Sequence, residues 1–220
     1  MYEALIEAFE AAERDASVVA FVLSGKGGVF TAGNDLGDFL AVALRPAGDL
    51  PASRFVSKLA GFEKPLVAAV DGLAGGVGTT LLFHCDLVYA TPESRFQMPF
   101  VNLGLVPEAG SSLLAPQRFG RAKAAEFLLL GEPFDAREAH ALGLVNALLP
   151  QGELIAHAMS KAAALAAKPR AALLATRRLM RGDGEALKAR MAEETHAFAA
   201  ALKSDEAHKA FQAFLSGGRK

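Results

Sequence analysis

Several features that mark other classes of protein are absent from this sequence. It has one cysteine among 220 residues and no CxxC pair, which excludes an internal disulfide and a cysteine-based zinc site. With 23 basic and 24 acidic residues, it has no positive excess to attract nucleic acid or an anionic membrane surface. We therefore expect no nucleic-acid or membrane partner, and a small ligand is favoured.

Long apolar runs and an export signal are also missing. The most apolar stretch, residues 66–90, is interrupted by Asp71, His84 and Asp86, so it falls short of the ~18 consecutive apolar residues that a membrane span needs. The opening residues, MYEALIEAFEAAERD, are acidic and helical in pattern, with no basic segment or cleavage site. A cytoplasmic location is the expectation.

Strand and helix patterns alternate in the first half of the chain. A helix is predicted at the start, and β-branched or apolar runs predict strands at 17–25, 65–72, 86–91 and 94–99, with a helix at about 75–85. Beyond residue 109 almost every segment has a helical pattern. Such alternation predicts an α/β fold with parallel crossovers, followed by a mostly helical part.

Two glycine-rich turns follow predicted strands: TAGND at 31–35 and GLAGGVG at 72–78. Glycines let a ligand approach the backbone closely, and the N–H groups of such turns suit an anion. An equally simple explanation is that the glycines only make tight turns. A dinucleotide-binding oxidoreductase is disfavoured, because the third glycine of its fingerprint would have to stand at Leu81.

Other catalytic motifs are not matched. The segment GKGG at 25–28 lacks the spacing of a phosphate-binding P-loop, and no GxSxG elbow of a serine hydrolase occurs. The five histidines are scattered singly, so we expect no metal.

Glu108 is a lone carboxylate in the apolar segment LGLVPEAGSS, just before a predicted helix. It could simply complement the dipole of that helix. Alternatively it is an acid/base group whose pKa is raised towards the working pH by apolar surroundings.

Several motifs together resemble the crotonase family, the enoyl-CoA hydratase/isomerase family, over nearly the whole chain. They are AGNDL (32–36), KPLVAAVDGLAGGVGTTL (64–81), CDLVYA (85–90), FQMPFVNLGLVPEAGSS (96–112) and AHALGLVN (139–146). The resemblance implies a crotonase-like spiral of ββα units in residues 1–150, which binds an acyl-CoA thioester. It also implies a helical oligomerisation region in residues 151–220, with assembly as a homotrimer or a dimer of trimers.

The resemblance also implies the site. Backbone N–H groups of Asn34 and Val77 would form an oxyanion hole for the thioester oxygen, although the family usually has glycine where this chain has Val77. Coenzyme A would be part of the substrate, with no separate cofactor. Further substrate-binding positions are Ala32, Gly33, Asp35, Leu36, Gly76, Thr80 and Phe100.

Hydratases of the family use two glutamates, and the matching positions here carry Thr80 and Phe100. Glu108 instead matches the single glutamate of the peroxisomal-type 3,2-enoyl-CoA isomerases. Moving a double bond needs one proton-transfer group, whereas adding water usually needs two. The expected function is therefore the isomerisation of 3-enoyl-CoA to 2-enoyl-CoA in fatty acid metabolism.

Two alternatives stay open. One is a divergent hydratase that uses Glu108 and a bound water, and the other is a non-catalytic CoA-binding protein. The latter is motivated by the family's N-terminal strands, which we expect to be missing, leaving an exposed sheet edge. The last helix, which Ser204 can cap, has an apolar side that could dock on its own domain or on a neighbouring subunit.

Overall fold

The structure, a computed structural model, describes residues 1–34 and 51–217. The strands in this part are β1 (Phe21–Ser24), β2 (Val29–Thr31), β3 (Leu66–Val70), β4 (Leu73–Gly75), β5 (Leu87–Ala90), β6 (Arg95–Gln97), β7 (Phe134–Asp135) and β8 (Ala147–Leu148). The helices are α1 (Tyr2–Arg14), α2 (Pro51–Gly61), α3 (Val77–Thr80), α4 (Ser111–Ala125), α5 (Ala136–Ala141), α6 (Gln151–Ala166), α7 (Arg170–Arg181), α8 (Glu185–Leu202) and α9 (Asp205–Gly217).

The strands form two sheets, and the first six strands alternate between them. One sheet has the order β1-β3-β5-β8 and is parallel throughout. The other has the order β2-β4-β6-β7, with only β7 antiparallel to its neighbour. The chain thus winds through β1-β2-α2, β3-β4-α3 and β5-β6-α4. This confirms the expected α/β spiral of ββα units with a helical C-terminal part.

Strand β3 shows why the spiral has an apolar centre. All five of its residues are buried, because both faces of the sheet are covered. Leu66, Ala68 and Val70 face the main core, whereas Val67 and Ala69 pack against a second cluster that includes α6. A continuous apolar run in the sequence is the consequence.

The predicted elements exist, but their lengths differ. The strand expected at 17–25 is only Phe21–Ser24, and the helix expected at 75–85 begins at Val77 and tightens into a 3₁₀ turn at Leu81–His84. Strands β2 and β4 were not expected, because they lie inside glycine-rich segments and are three residues each. These two strands are recognised by the hydrogen bonds that pair them, and their side chains show no strand pattern.

The C-terminal helices pack on the spiral. The Ser204 hydroxyl accepts a hydrogen bond from the Ala207 N–H at 3.1 Å, which confirms it as a helix cap. Leu202 and Phe211 are buried in the main core, whereas Phe214 and Leu215 are exposed. The last helix therefore docks on its own domain and still presents an apolar tip. Across the described ranges, no helix combines the length and apolarity that a membrane crossing would require.

Candidate active site

The two glycine-rich turns lie side by side at the ends of neighbouring strands. Strands β2 and β4 run parallel, with Thr31 opposite Ala74. Asn34 and Val77 each follow three residues later, so both occupy the same edge of the sheet. Two positions far apart in sequence are thereby brought together.

Glycine is required where these turns touch. A Cβ on Gly33, whose φ is +93°, would lie 2.8 Å from the Gly75 carbonyl oxygen. A Cβ on Gly78 would lie 2.7 Å from Cγ2 of Thr31. The glycines thus make tight turns, and this close packing is also what sets Asn34 next to Val77.

Val77 is the first residue of α3. The N–H groups of a helix's first turn have no acceptor within the helix, so the Val77 N–H is available to a ligand. Its side chain is 2 % exposed and packs into the main core. The valine in place of the usual glycine therefore offers its backbone to the site and not its isopropyl group.

Glu108 lies between the 3₁₀ turn Val101–Leu103 and α4 and contacts Thr80, the last residue of α3. The Thr80 hydroxyl donates a hydrogen bond to Glu108 Oε1 at 2.6 Å. Thr80 itself is fully buried. Thr80 therefore contacts the Glu108 carboxylate. Contact between Thr80 and the substrate stays a prediction.

The surroundings of Glu108 favour its neutral form. Burial is the main cause and raises the pKa of Glu108 to about 7, aided by the nearby Glu194 carboxylate and opposed by the hydrogen bond from Thr80. A carboxyl group with such a pKa can both accept and return a proton near neutral pH. This environment favours the acid/base interpretation over a simple helix-dipole role.

The turn that carries Glu108 is strained, and two buried side chains, Glu194 and His84, hold it. Ala109 has φ +60°, the left-handed region that costs a non-glycine residue about 1–2 kcal/mol. The buried Glu194 carboxylate accepts hydrogen bonds from the N–H groups of Gly110 (2.6 Å) and Ser112 (2.9 Å) at the start of α4. The Ala109 carbonyl accepts a hydrogen bond from Nε2 of His84 at 2.8 Å. Burial lowers the pKa of His84 to about 4, so this imidazole is neutral.

A pocket opens between α2 and α8, with Asn34 and Glu108 among the residues that line it. Its cavity volume is about 30 Å³. Its other walls come from two helices: Ala52, Ser53, Val56 and Ser57 of α2, and Met191, Thr195, Phe198 and Ala199 of α8. An adjoining outer cleft shares Ser53, Ser57 and Thr195 and has Glu10, Arg54 and Lys58 at its rim.

The structure places the remaining predicted residues as follows. Ala32, Gly33 and Gly76 belong to the two adjacent turns, while Phe100 is 6 % exposed and packs in the main core, outside the residues that line the pocket. Asp35 and Leu36 lie outside the described residues. Substrate contact at these six positions stays a prediction. Within the described ranges no three His, Cys, Asp or Glu side chains come close enough to hold a metal ion.

Sequence reasoning missed two contributions. Helix α8, in the part expected only to assemble subunits, lines the pocket and supplies Glu194. Tyr2, in α1, donates a hydrogen bond to the Asn34 side chain at 2.5 Å. Both contacts join residues distant in sequence, and no local motif signals them.

Comparison with known proteins decides the family. A family model described as enoyl-CoA hydratase/isomerase matches residues 1–219. The chain belongs to this family, the crotonase family. Rat enoyl-CoA delta isomerase 2 is 35% identical over 98% of this chain, which spans 56% of the relative's length. Escherichia coli 2,3-dehydroadipyl-CoA hydratase is 32% identical, with 96% of this chain and 83% of the relative covered.

Solved structures of the crotonase family agree with the fold. The structure of Pseudomonas aeruginosa OdaA has a TM-score of 0.93 and 44% sequence identity, over 98% of this chain and 87% of that one. Enoyl-CoA hydratase/isomerase from Pseudoalteromonas atlantica gives a TM-score of 0.91 at 39% identity, over 98% of this chain and 86% of that one. Because crotonase relatives carry both isomerase and hydratase names, the reaction has to be argued from the site.

Proposed function

We propose that the protein moves the double bond of a 3-enoyl-CoA into conjugation with the thioester, giving 2-enoyl-CoA. The observation that carries the proposal is Glu108. Among the described residues that line the pocket, it is the one carboxylate, and its pKa of about 7 suits reversible proton transfer.

One carboxylate suffices for this reaction. Ionised Glu108 takes a proton from C2, beside the thioester carbonyl, and the C–H electron pair becomes the new double bond between C2 and C3. The former double bond supplies the electrons for a C–H bond at C4, to which protonated Glu108 returns the proton. No atom is gained or lost, so no cofactor is required.

The negative charge that develops on the thioester oxygen needs donors. The N–H groups of Asn34 and Val77, at the same sheet edge, supply them in the proposed complex. Each donor of an oxyanion hole contributes roughly 3–4 kcal/mol to such a transition state. Glu108, Asn34 and Val77 together form a minimal site for the reaction.

A hydratase is the second candidate, and the E. coli hydratase at 32% identity is the observation in its favour. Water addition needs one group to deprotonate water and one to protonate carbon. The Thr80 hydroxyl is committed to Glu108, and Phe100 is apolar and buried. Among the described residues that line the pocket, this leaves Glu108 to do both tasks, which favours isomerisation.

The deciding experiment gives purified protein either 3-enoyl-CoA or 2-enoyl-CoA of the same chain length. With 3-enoyl-CoA we expect the conjugated 2-enoyl thioester to appear, identified by its absorbance and by chromatography. With 2-enoyl-CoA we expect no more than traces of the 3-hydroxyacyl product. Rapid hydration of 2-enoyl-CoA without isomerisation would establish the hydratase instead, and binding without turnover would establish a non-catalytic CoA-binding protein.

A further inference from the structure

Tyr2 connects the first helix to the site. Its hydroxyl donates to Oδ1 of Asn34 at 2.5 Å, across 32 residues of sequence. Its ring lies 5.3 Å from the ring of Phe55 in α2, measured between centroids. The phenol is therefore held in place on one side by an aromatic contact and on the other by the asparagine amide.

We propose that Tyr2 is a positioning residue, which holds Asn34 so that its backbone N–H stays aimed at the thioester oxygen. The inference rests on the proposed function for the identity of that oxygen. Because Oδ1 of Asn34 accepts the hydrogen bond from the phenol, the other end of the side-chain amide presents Nδ2, a donor, to its remaining neighbours.

The Asn34 turn needs such an anchor. It follows a three-residue strand, and Gly33, which has a positive φ, is tied by its N–H to the Thr31 hydroxyl at 3.1 Å. That bond is local to the turn. Tyr2 instead fastens Asn34 to α1, whose Ile6 and Phe9 are buried in the main core. A rigid element thus supports the donor, as precise positioning of catalytic groups requires.

The phenol stays a donor throughout the working pH range. Burial, and to a lesser extent the Glu108 carboxylate, raises the pKa of Tyr2 above its usual value of 10. Ionising it would place a second negative charge near Glu108. Tyr2 thus supplies a fixed hydrogen bond and takes no part in proton transfer, which distinguishes it from Glu108.

The test compares Tyr2→Phe with Asn34→Ala and with the double variant. Tyr2→Phe keeps the ring and should lower kcat about 10-fold, the scale of one lost hydrogen bond. KM and the pH at which activity falls on the acid side should be unchanged, since Glu108 is untouched. In the Asn34→Ala background the tyrosine change should cause no further loss, because the two residues act through one bond.

Tyr89→Phe is the matched control. Tyr89 is the other tyrosine of the chain, and it packs in the second cluster on the far face of the sheet. The same loss of a hydroxyl there should leave kcat at the parent value. Parent-like kcat in Tyr2→Phe, or a further loss in the double variant, overturns the proposal.

A second readout does not depend on isomerase activity. Acetoacetyl-CoA can form an enolate. The fraction of bound acetoacetyl-CoA in the enolate form reports how strongly the thioester oxygen is polarised. We expect a smaller enolate absorption in Tyr2→Phe than in the parent and in Tyr89→Phe. If the parent fails to isomerise 3-enoyl-CoA but this difference is seen, the proposed function fails and the positioning role stands. If the parent does not bind acetoacetyl-CoA, the donor site and the role of Tyr2 both fall.

Discussion

Replacing Glu108 by glutamine tests the site most directly. The amide has nearly the size of the carboxylate, and its oxygen can still accept the hydrogen bond that Thr80 donates to Oε1. What is lost is the base. Isomerisation should fall by roughly 10²-fold or more, the usual scale for a positioned acid/base group. Affinity for a saturated acyl-CoA should stay near that of the parent, since the carboxylate acts on the reacting carbons.

The parent enzyme should lose activity on the acid side of neutrality. Glu108 must be ionised to take the first proton, and its pKa is about 7. The rate should therefore fall as the pH drops through about 7. The residual rate of Glu108→Gln should not show that limb.

The same substitution should make the protein more stable in alkali. The folded-state pKa of Glu108 is raised from 4.5 to about 7, so the folded protein binds this proton more tightly than the unfolded chain does. Stability from this group is complete below pH 4.5, declines as the pH rises, and is lost above about 7. The difference between the two pKa values corresponds to roughly 3 kcal/mol in the free energy of unfolding if Glu108 is fully buried. Because the pocket is open to solvent, we expect a change of roughly 1–3 kcal/mol.

Glutamine has no ionisable proton to lose, so the variant should keep that stability at pH 8. Denaturant unfolding of both proteins at pH 4 and at pH 8 measures the effect, and the advantage of Glu108→Gln should be larger at pH 8. An active Glu108→Gln protein would refute the catalytic assignment, and Asp35 and Asp38 would be the next carboxylates to test. Equal stability differences at the two pH values would refute the burial argument.

Three further predictions follow from the site and the surface. Val77→Pro deletes one oxyanion donor at a helix position that tolerates proline, so it should lower kcat by about 10²–10³-fold. Val77→Gly keeps the N–H and should stay active. An equal loss of kcat in both variants would implicate the side chain. Thr80→Val removes the hydrogen bond that lowers the pKa of Glu108, so its acid limb should move to higher pH with activity recovered in alkali; an unmoved pH profile would contradict this coupling. Sedimentation should show the homotrimer or dimer of trimers that the family resemblance implies, with the exposed Phe214 (62%) and Leu179 (79%) available for contact; monomer alone at micromolar concentration would contradict it.

The sequence predicts the spiral's long apolar elements well and its short strands poorly. The run at 65–72 forms β3 because burial on both faces demands apolar residues at every position. Strands β2 and β4 have no such signature. They are three residues each, and their pairing depends on glycines that let two backbones touch. A sequence pattern depends on side chains, whereas these two strands contact each other through their backbones.

The site shows the same division. Glu108 is conspicuous in the sequence because a carboxylate in an apolar stretch needs a reason. Tyr2 and Glu194 are not, since each lies in an ordinary helical pattern and reaches the site only through folding, over 32 and 84 residues of sequence. The C-terminal helices were expected to join subunits, and α8 also completes the pocket.

Glu108 and Glu194 are both held at the turn before α4, and their partners give the two carboxylates different tasks. Glu194 receives two backbone N–H groups at the start of α4, which bind its charge in place and fix the turn. Glu108 receives one hydroxyl, from Thr80, and its burial disfavours its charge. A carboxylate with a backbone N–H on each oxygen holds structure, whereas a buried one with a single donor exchanges a proton more readily. The negative charge of Glu194 adds to this by raising the pKa of Glu108, so the residue that fixes the turn also tunes the base that the turn carries.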